Sequence, residues 1–338
     1  MKGVALDYEQ RSLIVAEFPD PAAPSAGEVL LRVHEVGICG TDRELSRFAY
    51  GYAPPGETRL ILGHEALARV EMTGAGVLDV QRGQWVVPTV RRSCDPPCPQ
   101  CAAGRRDLCV RAANPECGIF GLHGYFRDYA IDKPEDLVRV PEALVDVAVL
   151  IEPLSVVEKA IESALRCHQG EPRRLLAMGA GAIGILTALT ARLRGLDATI
   201  CSLEAPDHPR IRALRGTGIE YRTSIEGYSA DIVVEAAGDA RAAFAGLGAL
   251  APLGVMVVLG ALSARGEFPF MDLIVGNRTL LGSVNAGPDA FRRAVEDLAR
   301  FDKRVLERLV SRRRFTGELD ALFDPPAGAA KLVHVLEE

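Results

Sequence analysis

Short apolar runs broken by Gly and Pro fill the first third of the chain. Val29–Val36 (VLLRVHEV), Leu60–Leu62, Ala66–Met72 and Gln84–Val90 have strand length and turn-forming neighbours, and predict an irregular β-barrel. From Ser93 to Cys117 periodicity vanishes, as in a loop held by something other than a core. After Pro153 the pattern changes. Ser155–Cys167 has helical spacing; Arg174–Met178 reads as a strand, followed by glycines and a helix to about Leu193. Ala198–Ser202, Asp231–Ala236, Val255–Leu259 and Leu280–Val284 continue as strands. This βαβ rhythm predicts a doubly wound parallel sheet. An amphipathic helix at Pro288–Phe301 precedes mixed strand and helix to Glu338. The expected organisation is α/β in two domains: residues 1–153 with 286–338, carrying the irregular lobe 93–117, and residues 154–285.

Composition narrows the function. A net charge of −6 excludes the basic stripe a nucleic-acid-binding surface needs. Arg312, Arg313 and Arg314 read as a solvated patch. No uninterrupted apolar segment reaches the ~18–20 residues of a membrane helix; the richest, Ala236–Leu262, carries Asp239 and Arg241. Asp7, Glu9 and Arg11 break any leader-like run. A cytoplasmic protein with no nucleic-acid or membrane partner is expected.

Of the eight cysteines, four form C-x3-C-x2-C-x7-C: Cys94, Cys98, Cys101 and Cys109. In a reducing compartment such a cluster reads as a metal site rather than bridges. Four thiolates close a tetrahedron around zinc, which stabilises the loop and leaves no open position for chemistry. Cys167 and Cys201 read as small core residues, and His34, His168, His208 and His334 as hydrogen-bonded structural histidines.

A second group is dispersed. Cys39-Gly40-Thr41-Asp42 follows one strand, Gly63-His64-Glu65 follows another, and Glu152-Pro153 closes the first domain. Cys, His and carboxylate are the ligand types of catalytic zinc. Further on, Gly179-Ala180-Gly181-Ala182-Ile183-Gly184 sits between a strand and a helix, the context a dinucleotide fingerprint requires. Its glycines allow a tight turn, a close backbone approach to pyrophosphate and close helix packing. At the end of the next strand, Ser202 and Glu204 stand where an acidic side chain binds the ribose hydroxyls.

CGTD, GHE, the four-cysteine lobe, EP and the glycine fingerprint, in that order, resemble the zinc-containing medium-chain alcohol dehydrogenases. CGTD, IEPLSVVEKA and the segment from Glu116-Cys117-Gly118-Ile119 to His123-Gly124-Tyr125 are most similar to the glucose (aldose) 1-dehydrogenase branch. The resemblance implies a GroES-like catalytic barrel joined to a Rossmann domain, with two zinc ions per chain. Cys39 and His64 would bind the catalytic zinc, with Glu65 and Glu152 completing the sphere directly or through water. Asp42 would orient His64, Thr41 would pass the proton outward, and hydride would go to the nicotinamide. Arg43 and Glu44 stand where relatives often carry a relaying His. Glu204, with no adjacent Arg, favours NAD over NADP. Glu116, His123, Glu152 and Asn285 are the candidate sugar contacts, and Val90 is apolar where glucose-oxidising relatives can be polar. The function implied is oxidation of a sugar or polyol hydroxyl, first an aldose at C1 giving the lactone, in a homodimer or homotetramer. The alternatives are a dehydrogenase of an acyclic polyol, amino alcohol or cyclitol, and a non-catalytic binding protein derived from the fold.

Overall fold

A computed structural model describes residues 1–111, 115–260, 268, 270–326 and 328–336. Residues 112–114 of the irregular lobe, 261–262 of the richest apolar segment and 337–338 of the tail lie outside the described residues. The barrel expectation resolves into two sheets. Ser12–Glu17, Lys2–Asp7 and Arg59–Ile61 form a small antiparallel sheet. A larger sheet runs Leu137–Val140, Trp85–Pro88, Glu65–Thr73, Val29–Ile38, Lys331–Val335, Val310–Arg314, with Tyr129–Asp132 also pairing with Val29–Ile38. The long strand Val29–Ile38 alternates buried and half-buried positions before burying Val36–Ile38, so its last turn carries the chain into the interior. The C-terminal strand Lys331–Val335 pairs with it antiparallel, Leu332 opposite Ile38. Residues almost three hundred positions apart are thereby brought beside Cys39.

The second half is a six-stranded parallel sheet, Glu220–Arg222, Asp197–Cys201, Arg174–Met178, Ala230–Glu235, Leu250–Val258, Thr279–Gly282. Counted from Arg174–Met178 the order is 3-2-1-4-5-6, which opens a crevice beyond the strand ends where the winding reverses. The strands at 174, 197 and 230 carry buried runs because helices cover both faces. The largest apolar core joins this sheet to helix Ile151–Cys167 and continues into Leu67, Val87 and Val333 of the barrel.

That helix starts at Ile151, so Glu152 and Pro153 lie in its first turn. Proline is tolerated there because the first-turn amides have no intrahelical partner. One expectation needs correction. Cys167 ends this helix exposed to solvent, beyond the last buried turn, rather than in a core. The arginine patch lies on strand Val310–Arg314 with Arg312 and Arg314 exposed, as expected of a solvated patch. Arg312 makes an ion pair with Glu35 and donates to the Asp146 carbonyl, and Arg313 donates to Ala321. Among the described residues no helix is long and apolar enough to cross a membrane.

Candidate active site

Two strand ends and one helix start build the site. Cys39 follows strand Val29–Ile38 and caps the short helix Gly40–Ser46: the Thr41 amide donates to Cys39 Sγ (3.3 Å) and the Cys39 amide donates to Asp42 Oδ2 (2.9 Å). This reciprocal cap fixes the thiol and the Asp42 carboxylate together. Strand Glu65–Thr73 lies antiparallel to the first, Gly37 opposite Glu65, and delivers His64 and Glu65 alongside. Ligand atoms of Cys39, His64 and Glu65 lie within 4.8 Å of one another. His64 Nδ1 is 3.4 Å from Asp42 Oδ1, which leaves Nε2 for a metal. Burial opposes the charged form of His64, yet Asp42 and Cys39 carry its pKa well above the usual range. Buried Glu152 lies next to this trio without joining it. Burial, and then the Glu65 carboxylate, push Glu152 up to about 8. Buried carboxylates and a thiol converging on one point are what a divalent cation neutralises, so the residues fit zinc.

Sequence reasoning missed two members. Lys331 donates to Glu65 Oε1 (2.7 Å), Glu65 Oε2 (2.5 Å) and the Ile38 carbonyl (3.2 Å). Tyr50 is half-buried with its hydroxyl held by Thr41; burial raises its pKa, with Cys39, His64 and Asp42 also acting on it. Neither carries a motif, and Lys331 reads in the sequence as one polar position of a tail strand. Arg43 turns away, donating to the Phe323 carbonyl.

The four-cysteine lobe is closed. Its sulfurs lie within 4.8 Å of one another, with Cys94–Cys101 at 3.7 Å and Cys98–Cys109 at 3.8 Å. Four sulfurs about 2.3 Å from one zinc would be about 3.8 Å apart, whereas a disulfide needs about 2 Å. Backbone amides of Cys101 and Val110 draw Cys98 down to about 6, while burial pushes Cys109 up to about 12.

The other expected contacts divide. Glu116 is buried and held through Oε1 by the Arg91 guanidinium (Nε at 2.9 Å). Asn285 is buried at φ 59 in the turn between strand Thr279–Gly282 and helix Pro288–Leu298. His123 is engaged elsewhere: Nε2 meets Glu57 (2.9 Å) and Nδ1 accepts from the Ile61 amide (3.2 Å), so both ring nitrogens serve the loop and none is left for a sugar hydroxyl. Val90 is buried core.

The fingerprint has the required form. Gly179 takes φ 106, and a Cβ on Gly184 would strike the Gly179 carbonyl. Gly181 caps helix Ala182–Leu193 without any side-chain hydrogen bond and faces open space. Ala180 and Ala182 are buried beside it, and Ile183 packs against the core. Unsatisfied first-turn amides over an open cradle fit a pyrophosphate. Beyond the next strand, Ser202 Oγ meets Tyr221 (2.9 Å) and Glu204 pairs with Arg210 (2.9 Å), whose other nitrogen donates to the Ala329 carbonyl (2.6 Å). Burial opposes ionisation of Glu204, but the Ser202 hydroxyl, a backbone amide and Arg210 hold it below the usual carboxylate range.

Comparison with known proteins agrees with this geometry. Residues 25–142 match the alcohol dehydrogenase GroES-like domain and residues 145–335 match the glucose dehydrogenase C-terminus. The chain is 43% identical over 310 residues (87% of each chain) to glucose 1-dehydrogenase 1 of Caldivirga maquilingensis. It is 37% identical over 334 residues (93% of each) to glucose 1-dehydrogenase of Methanocella arvoryzae. The structure of Haloferax mediterranei glucose dehydrogenase in complex with NADP, Zn and gluconolactone superposes with a TM-score of 0.90 over 100% of both chains at 29% identity. This chain belongs to the glucose dehydrogenase branch of the zinc-containing medium-chain alcohol dehydrogenases.

Proposed function

We propose that this chain oxidises an aldose at C1 to the lactone, with glucose as first substrate, using two zinc ions per chain and preferring NAD. The observation that carries the reading is the convergence of Cys39, His64 and Glu65 beside a closed four-cysteine lobe, in a chain 43% identical to a glucose 1-dehydrogenase. Zinc would supply Lewis acidity to the hydroxyl being oxidised, and the nicotinamide would accept hydride. Cys39, His64 and Glu65 are the residues that would hold the metal, with Glu152 beside them completing the sphere directly or through water. Asp42 fixes the His64 ring, and Thr41, beside the Tyr50 hydroxyl, takes the departing proton. Glu116, Glu152 and Asn285 bind sugar hydroxyls, and Arg91 orients Glu116. Gly179–Gly184 cradle the pyrophosphate, while Ser202 and Glu204 bind the adenosine ribose.

NAD preference rests on Glu204. Its carboxylate repels a 2′-phosphate, and Arg210 is engaged by both Glu204 and Ala329. The Haloferax neighbour bound NADP, which counts the other way. Steady-state kinetics with both cofactors on aldoses, polyols, cyclitols and simple alcohols test the whole reading. A preference for NAD by ten- to hundredfold in kcat/KM, about 1.4–2.7 kcal/mol, is expected. Equal or better use of NADP overturns that preference and makes Arg210 or Arg212 the phosphate ligand. Butanol or cyclohexanol outperforming every sugar overturns the aldose assignment. A homodimer or homotetramer is proposed from the exposed apolar face described below, and the cytoplasm from a lobe that needs reduced thiols.

A further inference from the structure

Between Cys101 and Cys109 the lobe makes one short helical turn, Arg106–Leu108, and its two charged side chains reach different parts of the fold. Buried Arg106 pairs with Asp136 and donates to Thr89 Oγ1 (3.1 Å) and the Glu135 carbonyl (3.0 Å), which pins the turn to the barrel. Asp107 serves the parallel-sheet half instead. Its Oδ2 pairs with Lys159 Nζ (2.9 Å) on helix Ile151–Cys167, and Lys159 also donates to the Val284 carbonyl (2.9 Å), one residue before Asn285. The other Asp107 oxygen occupies the space beside Gly287, 2.6 Å from where a Cβ would stand. On the barrel side, the Asp107 carbonyl accepts from Arg91 Nη1 (2.9 Å), and the same guanidinium holds Glu116. One residue of the lobe thus stands between two candidate sugar contacts. It is tied to Glu116 through Arg91 and to the Asn285 turn through Lys159. The ion pair is largely screened from water, Asp107 at 10% and Lys159 at 14% exposure, so it keeps its geometry better than a pair on the open surface. Asn285 takes φ 59, a conformation that few side chains adopt unaided, and the tie at Val284 helps to hold it.

We propose that Asp107 and Lys159 are positioning residues that fix Glu116 and Asn285 relative to each other, so that the four-cysteine lobe sets the fit of a polyhydroxyl substrate. The inference rests on the reading of Glu116 and Asn285 as sugar contacts. A pyranose presents its hydroxyls at fixed spacings, and a site built for them loses affinity when a partner is displaced, because a buried polar group is then left unpaired. Glu116 and Asn285 come from opposite ends of the chain, and the Asp107–Lys159 pair is the bridge that joins their supports. A role confined to stability predicts something else: loss of the pair would harm sugar and cofactor binding alike.

The test is steady-state kinetics of the holoenzyme on glucose and the monodeoxyglucoses, with cofactor affinity measured by calorimetry. Lys159→Met should raise KM for glucose about fivefold or more, while kcat and cofactor affinity stay within about twofold of wild type. It should also shrink the penalty for the worst-tolerated deoxy sugar, since the seat for that hydroxyl is no longer held. Lys159→Arg, which keeps donors for both the carboxylate and the Val284 carbonyl, should restore KM towards wild type. Asp107→Ala leaves the backbone carbonyl in place for Arg91 and should raise KM in the same direction. The double variant should be no worse than Lys159→Met, because both changes remove one pair. An unchanged KM in the single variants, full additivity in the double variant, or sugar and cofactor binding lost together overturns the proposal. Either single variant decides alone if the other does not fold. Failure of the underlying reading looks different: the wild type would use every monodeoxyglucose as well as glucose, or would turn over no sugar.

Discussion

At Gly37 the space a side chain would need is occupied by Glu65 on one side and Val149, 3.1 Å from the would-be Cβ, on the other. Gly37→Ala should therefore displace the Glu65–Lys331 pair and cost about 1–3 kcal/mol of stability, as overpacking does, measured by denaturant titration. The effect should shrink in Glu65→Ala if the carboxylate is the obstacle. At Cys39 the expectation differs, because the thiol serves an open site. Cys39→Ser should abolish turnover and remove one zinc by elemental analysis while leaving the thermal midpoint within a few degrees. Glu116→Gln should lower kcat/KM for the sugar at least tenfold, about 1.4 kcal/mol, without changing zinc content, since Glu116 is held by Arg91 rather than by the metal ligands.

Among elements, the four-cysteine lobe is more than a local staple. Asp107, between Cys101 and Cys109, pairs with Lys159 of helix Ile151–Cys167 (2.9 Å), and Lys159 also donates to the Val284 carbonyl beside Asn285 (2.9 Å). Zinc binding in such lobes is coupled to folding. Cys101→Ser should therefore lower the thermal midpoint and expose the Asn285 turn to faster hydrogen exchange, in contrast to Cys39→Ser. A second junction joins three helices: Arg194, at the end of Ala182–Leu193, bridges Glu158 (2.6 Å) and Asp297 (2.6 Å). Burial, and then hydrogen bonding with Asp297, push Glu158 up to about 7. Its folded pKa thus exceeds the unfolded value of about 4.3, so the folded state binds more protons between them. The contribution of Glu158 to stability is full below pH of about 4 and is lost as pH rises through about 7. The midpoint of wild type minus that of Glu158→Gln should fall from pH 5 to pH 8; a difference that rises contradicts the assignment.

At the scale of the molecule, Thr279–Gly282 is the edge strand of the parallel sheet among the described residues. Beside it, helix Phe270–Gly276 buries none of its residues and exposes Phe270, Met271, Ile274 and Val275, each at least 64% accessible, with Leu280 and Val284 nearby. An exposed apolar patch next to an edge strand is a surface that association covers. Ile274→Lys with Val275→Lys should shift sedimentation towards the monomer while leaving the zinc content unchanged; an unaltered oligomer would remove this face as the interface.

The ligand types and their order along the chain were legible in the sequence because each depends on local geometry. A thiol at a helix cap, a histidine at a strand start, four cysteines within one loop and glycines at a strand-to-helix turn need only their neighbours. The parallel sheet was legible for the same reason, since buried strands alternating with helices leave a periodic trace. The opening strands Lys2–Asp7 and Ser12–Glu17 were not, each being only four apolar residues between polar ends that become a sheet through register with each other and with Arg59–Ile61. Tertiary structure alone decided which polar groups meet. It tied His123 to Glu57, engaged Arg210 with Glu204, and set Lys331 against Glu65, because strand pairing places side chains by register across hundreds of residues and no short-range pattern records that choice.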